Sequence, residues 1–305
     1  RINEGFDVEY VFMDTGIEHE KTYEFIKKCV DYFKIQITCL KGNFNQPVGE
    51  GHTFEVIDCK LLKPDYKNGA YAQMVKKYGV PTVKSAWCSS RMKQEVNEKY
   101  CSSNFEVGSY KNVLGIRSDE PQRYYGKNAW QVIKNHPYSK YELYKIFIGQ
   151  SDLWISPEAK ELLEARKKAL KKNGISYLAE LQYFSKDDVN DFWANMPFDL
   201  GIDDHLGNCV FCIKKSVGKI ALAQRDEPEI ELKFNKMIEA GSSRLNTGKI
   251  PKGIMYRGTN SLISIKKVYQ SSSRLEIKQS LRSMKDDSSC SESCEGLDAQ
   301  VDMFK

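Results

Sequence analysis

The chain has no run of about 18 apolar residues, which leaves no segment for a membrane-spanning helix. It has no G-x-S-x-G elbow, no H-E-x-x-H pair and no G-x-G-x-x-G turn, so a serine-hydrolase, zincin or dinucleotide fingerprint is excluded. Gly241 to Gly248-Lys249 is a near miss for a Walker A loop. The glycines are separated by six residues where the loop needs four, and Ile250 stands where Ser or Thr must reach magnesium. Histidine is scarce, and His19, His52 and His136 stand at no metal-ligand spacing. No charged, apolar, small-residue leader precedes the first strand-like segment, and residue 1 is Arg; the expectation is that the natural amino terminus lies upstream.

What remains is an ordinary globular composition of 29% charged and 41% hydrophobic residues, enough to bury a substantial core over 305 residues. The net charge of +5 is uneven, because residues 285–305 hold six acids against two lysines. Basic runs at Arg166-Lys167-Lys168, Lys171-Lys172 and Lys214-Lys215 read first as solvated surface and second as attraction for a nucleotide or nucleic acid. Nine cysteines without a secretory leader predict reduced thiols, some of them metal-bound, in a cytoplasmic protein. Cys29, Cys39 and Cys59 fall in regular elements and read as core.

Asp7–Met13 alternates β-formers, and Thr15-Gly16-Ile17-Glu18 then supplies a T-x-x-E capping pattern. Phe25, Ile26, Cys29, Val30 and Phe33 put one apolar stripe on a helix from about His19 to Phe33, and Ile35–Leu40 gives a second strand. Strand, helix and strand in that order predict a parallel sheet of an α/β fold. Residues 41–68 are a long polar excursion of the kind found near sites. Helical patches follow at Ala70–Tyr78 and Ser85–Glu98, then a strand at Tyr110–Ile116. Ser156-Pro157-Glu158 and Ser185-Lys186-Asp187-Asp188 open helices, the second burying Val189, Phe192, Trp193 and Met196. Another helix runs from about Pro228 to Ala240, and Ser271–Lys305 reads as a mobile tail. The predicted division is 1–150 for the nucleotide-binding domain, 151–270 for a helical, cysteine-bearing region and 271–305 for the acidic tail.

Three segments could carry chemistry. Asp14-Thr15-Gly16 sits where a strand's carboxyl end meets a helix, the edge at which open α/β sheets bind ligands. Gly115-Ile116-Arg117-Ser118-Asp119-Glu120, with Arg123, repeats that arrangement. Its two arginines either clamp an oxyanion or pair with Asp119 and Glu120. Cys209-x-x-Cys212 is the sharpest signal, a metal loop or redox pair. Cys88 is a third ligand candidate, and Cys290, Cys294 or His205 a fourth. Such a set suits an iron–sulfur cluster or zinc.

Taken together these segments resemble the phosphoadenosine-phosphosulfate (PAPS) reductase branch of the PP-loop adenine-nucleotide enzymes. Val11–His19 is similar to that family's T-G-x-E strand-turn, and Trp87-Cys88-Ser89-Ser90-Arg91-Met92-Lys93 to its C-T-x-x-x-K segment. Leu114–Glu120 resembles its G-x-R-x-x-E loop. Gly207-Asn208-Cys209-Val210-Phe211-Cys212 resembles the G-N-C-x-x-C of phage and bacterial variants. The resemblance covers roughly residues 5–215. It implies a Rossmann-like parallel sheet of the adenine nucleotide α-hydrolase type, holding ATP or PAPS at the strand ends. Asp14, Thr15, Gly16 and Glu18 would lie on the nucleoside side, with Gly115 and Glu120 in the second loop. Lys93, Arg117 and Arg123 would face the anion. Cys88, Cys209 and Cys212, with Cys290, would hold a four-iron cluster, zinc being the alternative. The implied function is nucleotide-dependent sulfur transfer. A second possibility is a genuine PAPS reductase using Cys294 as nucleophile, although Ser293-Cys294-Glu295-Gly296-Leu297 departs from that family's E-C-G-L-H ending. A third is an inactive nucleotide- or nucleic-acid-binding module, because the family's S-G-G-x-x-S phosphate loop is absent from this sequence. A separate polypeptide completing the sheet is the partner that this absence suggests.

Overall fold

The computed structural model describes residues 7–83, 85–241 and 253–283. They form two compact units, residues 7–103 with 200–283 and residues 104–199. The sequence-based boundary near 150 differs from this because the chain after residue 200 returns to pack on its own amino-terminal part.

The first unit begins with β1 (Tyr10–Asp14), α1 (Glu20–Phe33) and β2 (Ile37–Asn43), the βαβ unit the sequence predicts. β1 and β2 are parallel, from Tyr10↔Ile37 to Asp14↔Lys41. His19 caps α1 by accepting the Lys21 N–H on its ring, and Lys34 ends the helix in the left-handed region. Of the predicted stripe only Ile26 is fully buried, joined by Tyr23; Phe33 is exposed. β3 (Thr53–Ile57) then pairs antiparallel with β2, Asn43 facing Thr53, and completes the order β1-β2-β3. The expected parallel sheet is therefore a small mixed one. Its connection, residues 44–52, is shorter than the dozen or so residues a parallel return requires.

Cys39 on β2 and Cys59 on the following 3-10 turn form a disulfide across a sequence separation of 20, correcting the expectation of reduced core thiols at these positions. α2 (Ala70–Tyr78) is buried almost all round, with Met74 and Val75 wholly inaccessible. Each such side chain contributes roughly 1.5–3 kcal/mol of apolar burial. A single π-helical turn, Ser90–Gln94, leads into α3 (Glu95–Asn104). Inserted π turns of this kind recur at functional sites.

The second unit pairs β4 (Asn112–Leu114) in parallel with β5 (Ile175–Tyr177). Around this pair are α4 (Pro121–Ile133), α5 (Lys140–Ile148), α6 (Pro157–Lys172), α7 (Leu178–Leu181) and α8 (Lys186–Ala194). Tyr124, Tyr125, Phe147 and Tyr177 fill its core. Ser156 and Ser185 cap α6 and α8 as their sequences predict. α8 buries none of its residues, however, so the predicted burial of Val189, Phe192 and Trp193 is not found.

The chain returns to the first unit through a 3-10 turn at Asp204–Leu206, α9 (Val217–Asp226), α10 (Pro228–Gly241), α11 (Leu262–Val268) and α12 (Arg274–Ser283). α12 occupies part of the segment expected to be mobile. Ile277 is buried in the core, and Arg274 binds Asp203 and Asp226. Among the described residues no helix is long and apolar enough to cross a membrane.

Candidate functional site

The carboxyl end of β1 enters a turn whose side chains are almost inaccessible to solvent: Asp14, Thr15, Ile17 and Glu18 are all buried. Asp14 Oδ1 accepts the Gly16 N–H at 2.9 Å. The Thr15 hydroxyl donates to Glu18 Oε1 at 2.6 Å, so the T-x-x-E pattern closes on itself instead of capping α1. Tyr23 Oη lies 2.8 Å from Asp14 Oδ1 and 2.8 Å from Glu18 Oε2. One hydroxyl proton between two carboxylates satisfies both only when one carboxyl is itself protonated. Burial, then the charge of Glu18, pushes the Asp14 carboxyl up to about 6. The side chains assigned to a nucleoside by resemblance are thus bonded inside the protein.

The G-N-C-x-x-C loop packs on this turn. Asn208 adopts the left-handed conformation at φ 54°, which asparagine tolerates better than most residues. Cys209 then forms an antiparallel bridge with Glu18, and the Val210 N–H donates to the Ile17 carbonyl at 3.4 Å. The Cys212 N–H closes onto the Cys209 carbonyl at 3.1 Å. Lys215, read from sequence as surface, is 1% exposed and donates to the carbonyls of His205 (2.7 Å) and Val210 (3.0 Å), bracing the loop from inside. Thr15 Oγ1 stands 3.7 Å from Cys209 Sγ.

The third segment brings Cys88 and Lys93. Burial alone would depress the Lys93 ammonium, but Cys209, Glu18, Cys212 and Cys88 around it hold it above its ordinary range. Burial, then Cys212, pushes the Cys88 thiol up to about 11 against the pull of Lys214 and Lys93. Cys209 is raised by burial and Glu18. T-G-x-E and C-x-x-C, distant in sequence, therefore meet at Cys209, and Lys93 of the third segment lies within electrostatic range of Glu18 and of all three cysteines. Tyr66 and Tyr71 stand within electrostatic range of Cys209 there, and sequence reasoning missed both. Their one available signal was their place at the end of the long polar excursion and the start of α2.

The sulfurs do not crowd. Among the described residues, the set of three potential ligands whose atoms all lie within 4.8 Å of one another is Asp203, His205 and Asp226. Tetrahedral zinc at about 2.3 Å from each sulfur would need sulfurs about 3.8 Å apart. Cys88, Cys209 and Cys212 do not form such a set, so the arrangement present is not that of a closed tetrahedral zinc site. His205 Nε2 bonds Asp226 at 2.8 Å, and within 4.8 Å His205 groups with Asp203 and Asp226 rather than with two of the thiols. That acid group is itself compensated by Arg274, which binds Asp226 at 2.8 Å and Asp203 as well. Cys290 and Cys294 lie outside the described residues.

In the second unit Arg117 Nε bonds Asp119 at 2.8 Å, and Arg123 bonds Glu120 at 3.0 Å. Of the two readings of this loop, the ion-paired one is the arrangement present. Glu120 also accepts the Arg117 N–H at 3.0 Å, while a side chain at Gly115 would meet open space.

Over 307 aligned residues the chain is 37% identical to the nin region protein ORF290 of Escherichia phage lambda, spanning 98% of this chain and 88% of that protein. It is also 27% identical over 116 residues to protein MJ0066 of Methanocaldococcus jannaschii, spanning 38% of this chain and 18% of that protein. No protein-family model and no solved structure matches it. The chain belongs to the family of the lambda nin region protein ORF290.

Proposed function

We propose that this protein is a PAPS reductase-like enzyme of sulfur transfer, working in the cytoplasm, that binds ATP or an adenylyl sulfate beside an iron–sulfur cluster. Cys88, Cys209 and Cys212 would hold the cluster. The observation that carries the reading is the contact of Thr15 and Glu18 with Cys209, with Lys93 in electrostatic range of Cys88, Cys209 and Cys212. Burial holds the Cys88 and Cys209 thiols above their ordinary range, so a metal bound there would have to displace their protons and its uptake would strengthen as pH rises. When bound, the cluster would supply a redox-active, sulfur-rich surface. Lys93 would offset the negative charge of the thiolates and attract an anionic substrate. The parallel β1-α1-β2 unit, with Asp14 at the carboxyl end of β1, supports a nucleotide-binding sheet of the adenine nucleotide α-hydrolase type.

Anaerobically purified protein is expected to contain iron and labile sulfide and to absorb in the visible. Cys88→Ala and Cys209→Ala should each lose most of the iron while Cys29→Ala keeps it. A colourless protein with stoichiometric zinc would remove the cluster from this reading.

A further inference from the structure

The polar excursion after β2 ends in a turn built on Asp65, whose Oδ1 accepts the N–H groups of Lys67 (3.1 Å) and Asn68 (2.8 Å). The Asp65 N–H donates to the Gly16 carbonyl at 2.8 Å, fastening this turn to the D-T-G turn of the site. Tyr66, the next residue, packs against the same buried core cluster as Cys88 and Cys209 do. Cys209, Glu18 and Glu227 are the titratable groups within electrostatic range of its hydroxyl. Its Oη is buried from solvent yet has no hydrogen-bond partner. The polar side chains around it differ: Thr15, Tyr23 and Lys215 are all bonded. A buried hydroxyl left unsatisfied is destabilising by itself, and such an atom at a site marks the position of a missing acceptor.

We propose that Tyr66 is a positioning residue whose hydroxyl donates a hydrogen bond to the sulfur-bearing group held at Cys209. The inference rests on the cluster reading above and names a residue that tunes that group. A donor to cluster sulfur withdraws electron density from it and raises its reduction potential. The excursion therefore serves the site through its last turn.

Tyr66→Phe removes one oxygen and keeps the ring. Wild type and variant would be reconstituted anaerobically with ferrous iron and sulfide, analysed for iron, and titrated for midpoint potential. Urea unfolding of the metal-free forms reports the fold. The expected result is equal iron, an unchanged or raised unfolding midpoint, and a more negative potential in the variant. A purely structural hydroxyl would move the unfolding midpoint alone. Fluorotyrosine at position 66, a stronger donor of nearly the same shape, should shift the potential the opposite way. Unchanged potentials at equal iron content overturn the role of Tyr66 and leave the cluster reading standing. A wild type that takes up no iron removes the cluster reading and this inference together.

Discussion

Gly16 joins the two halves of the site, and replacing it with alanine tests how tightly they are joined. Its φ is +81°, a conformation that costs an L-residue roughly 1–2 kcal/mol. An added Cβ would also stand 3.0 Å from Gly69 Cα and 3.3 Å from the Asp65 carbonyl, both of them main chain that cannot swing aside. Relieving that contact strains two hydrogen bonds, Asp65 N–H to Gly16 O at 2.8 Å and Tyr71 N–H to Thr15 O at 2.9 Å. Each such bond contributes about 1 kcal/mol net. The expected loss for Gly16→Ala is thus about 3–4 kcal/mol. Gly49→Ala is the control: its φ is +100° and nothing lies within 4 Å of the added carbon, so backbone strain of roughly 1–2 kcal/mol is its whole cost. Equilibrium urea unfolding of both variants measures the difference. Equal losses would refute the packing of the Asp65 turn on the D-T-G turn.

Three further outcomes follow from the same structure. Asp14 is raised from the ordinary 3.8 to about 6 in the folded chain, so the folded state binds its proton more tightly than the unfolded state. That contribution is complete below pH 3.8, is lost as pH rises through 6, and amounts to roughly 3 kcal/mol. Asp14→Asn should remove it, and a stability difference between wild type and variant that is flat from pH 4 to 7 would contradict the assignment. Cys59→Ala opens the Cys39–Cys59 link and should lower stability by about 3 kcal/mol under non-reducing conditions. The same link predicts that thiol titration of the unfolded, unreduced wild type finds at least two fewer than its nine cysteines. Lys215→Met leaves the His205 and Val210 carbonyls without their buried donor and should cost about 2–4 kcal/mol. It should also loosen the Cys209–Cys212 loop, read as faster hydrogen exchange there; unchanged exchange would show that Lys215 does not brace it.

Local rules carried the first part of the fold. Alternating β-formers gave β1, helical spacing gave α1, and serine caps gave α6 and α8, because these signals lie within a few residues of each other. The return of β3 against β2 was not legible, since strand direction depends on a loop length that composition alone did not mark. Lys215 was misread because its burial rests on carbonyls that the preceding loop, five and ten residues back, folds over it, and a lysine beside another lysine looks like surface. The Cys39–Cys59 link was missed for a related reason: proximity across a sheet leaves no spacing rule in the sequence. The segments of the site were legible as motifs, but their mutual placement was not, because no spacing within a motif fixes where distant segments lie; the contact of Cys209 with Thr15 and Glu18 comes from the fold. The fate of Arg117 and Arg123 was open in sequence, and their acid partners decide it. Tyr66 carries no motif, and only its orphaned hydroxyl distinguishes it.

X-ray absorption at the iron and zinc edges of the intact, anaerobically purified protein tests the central claim most directly. Iron surrounded by sulfur, with a second shell of iron, is the predicted result. A sample with no iron edge, or with zinc alone bound to nitrogen and oxygen, would contradict it.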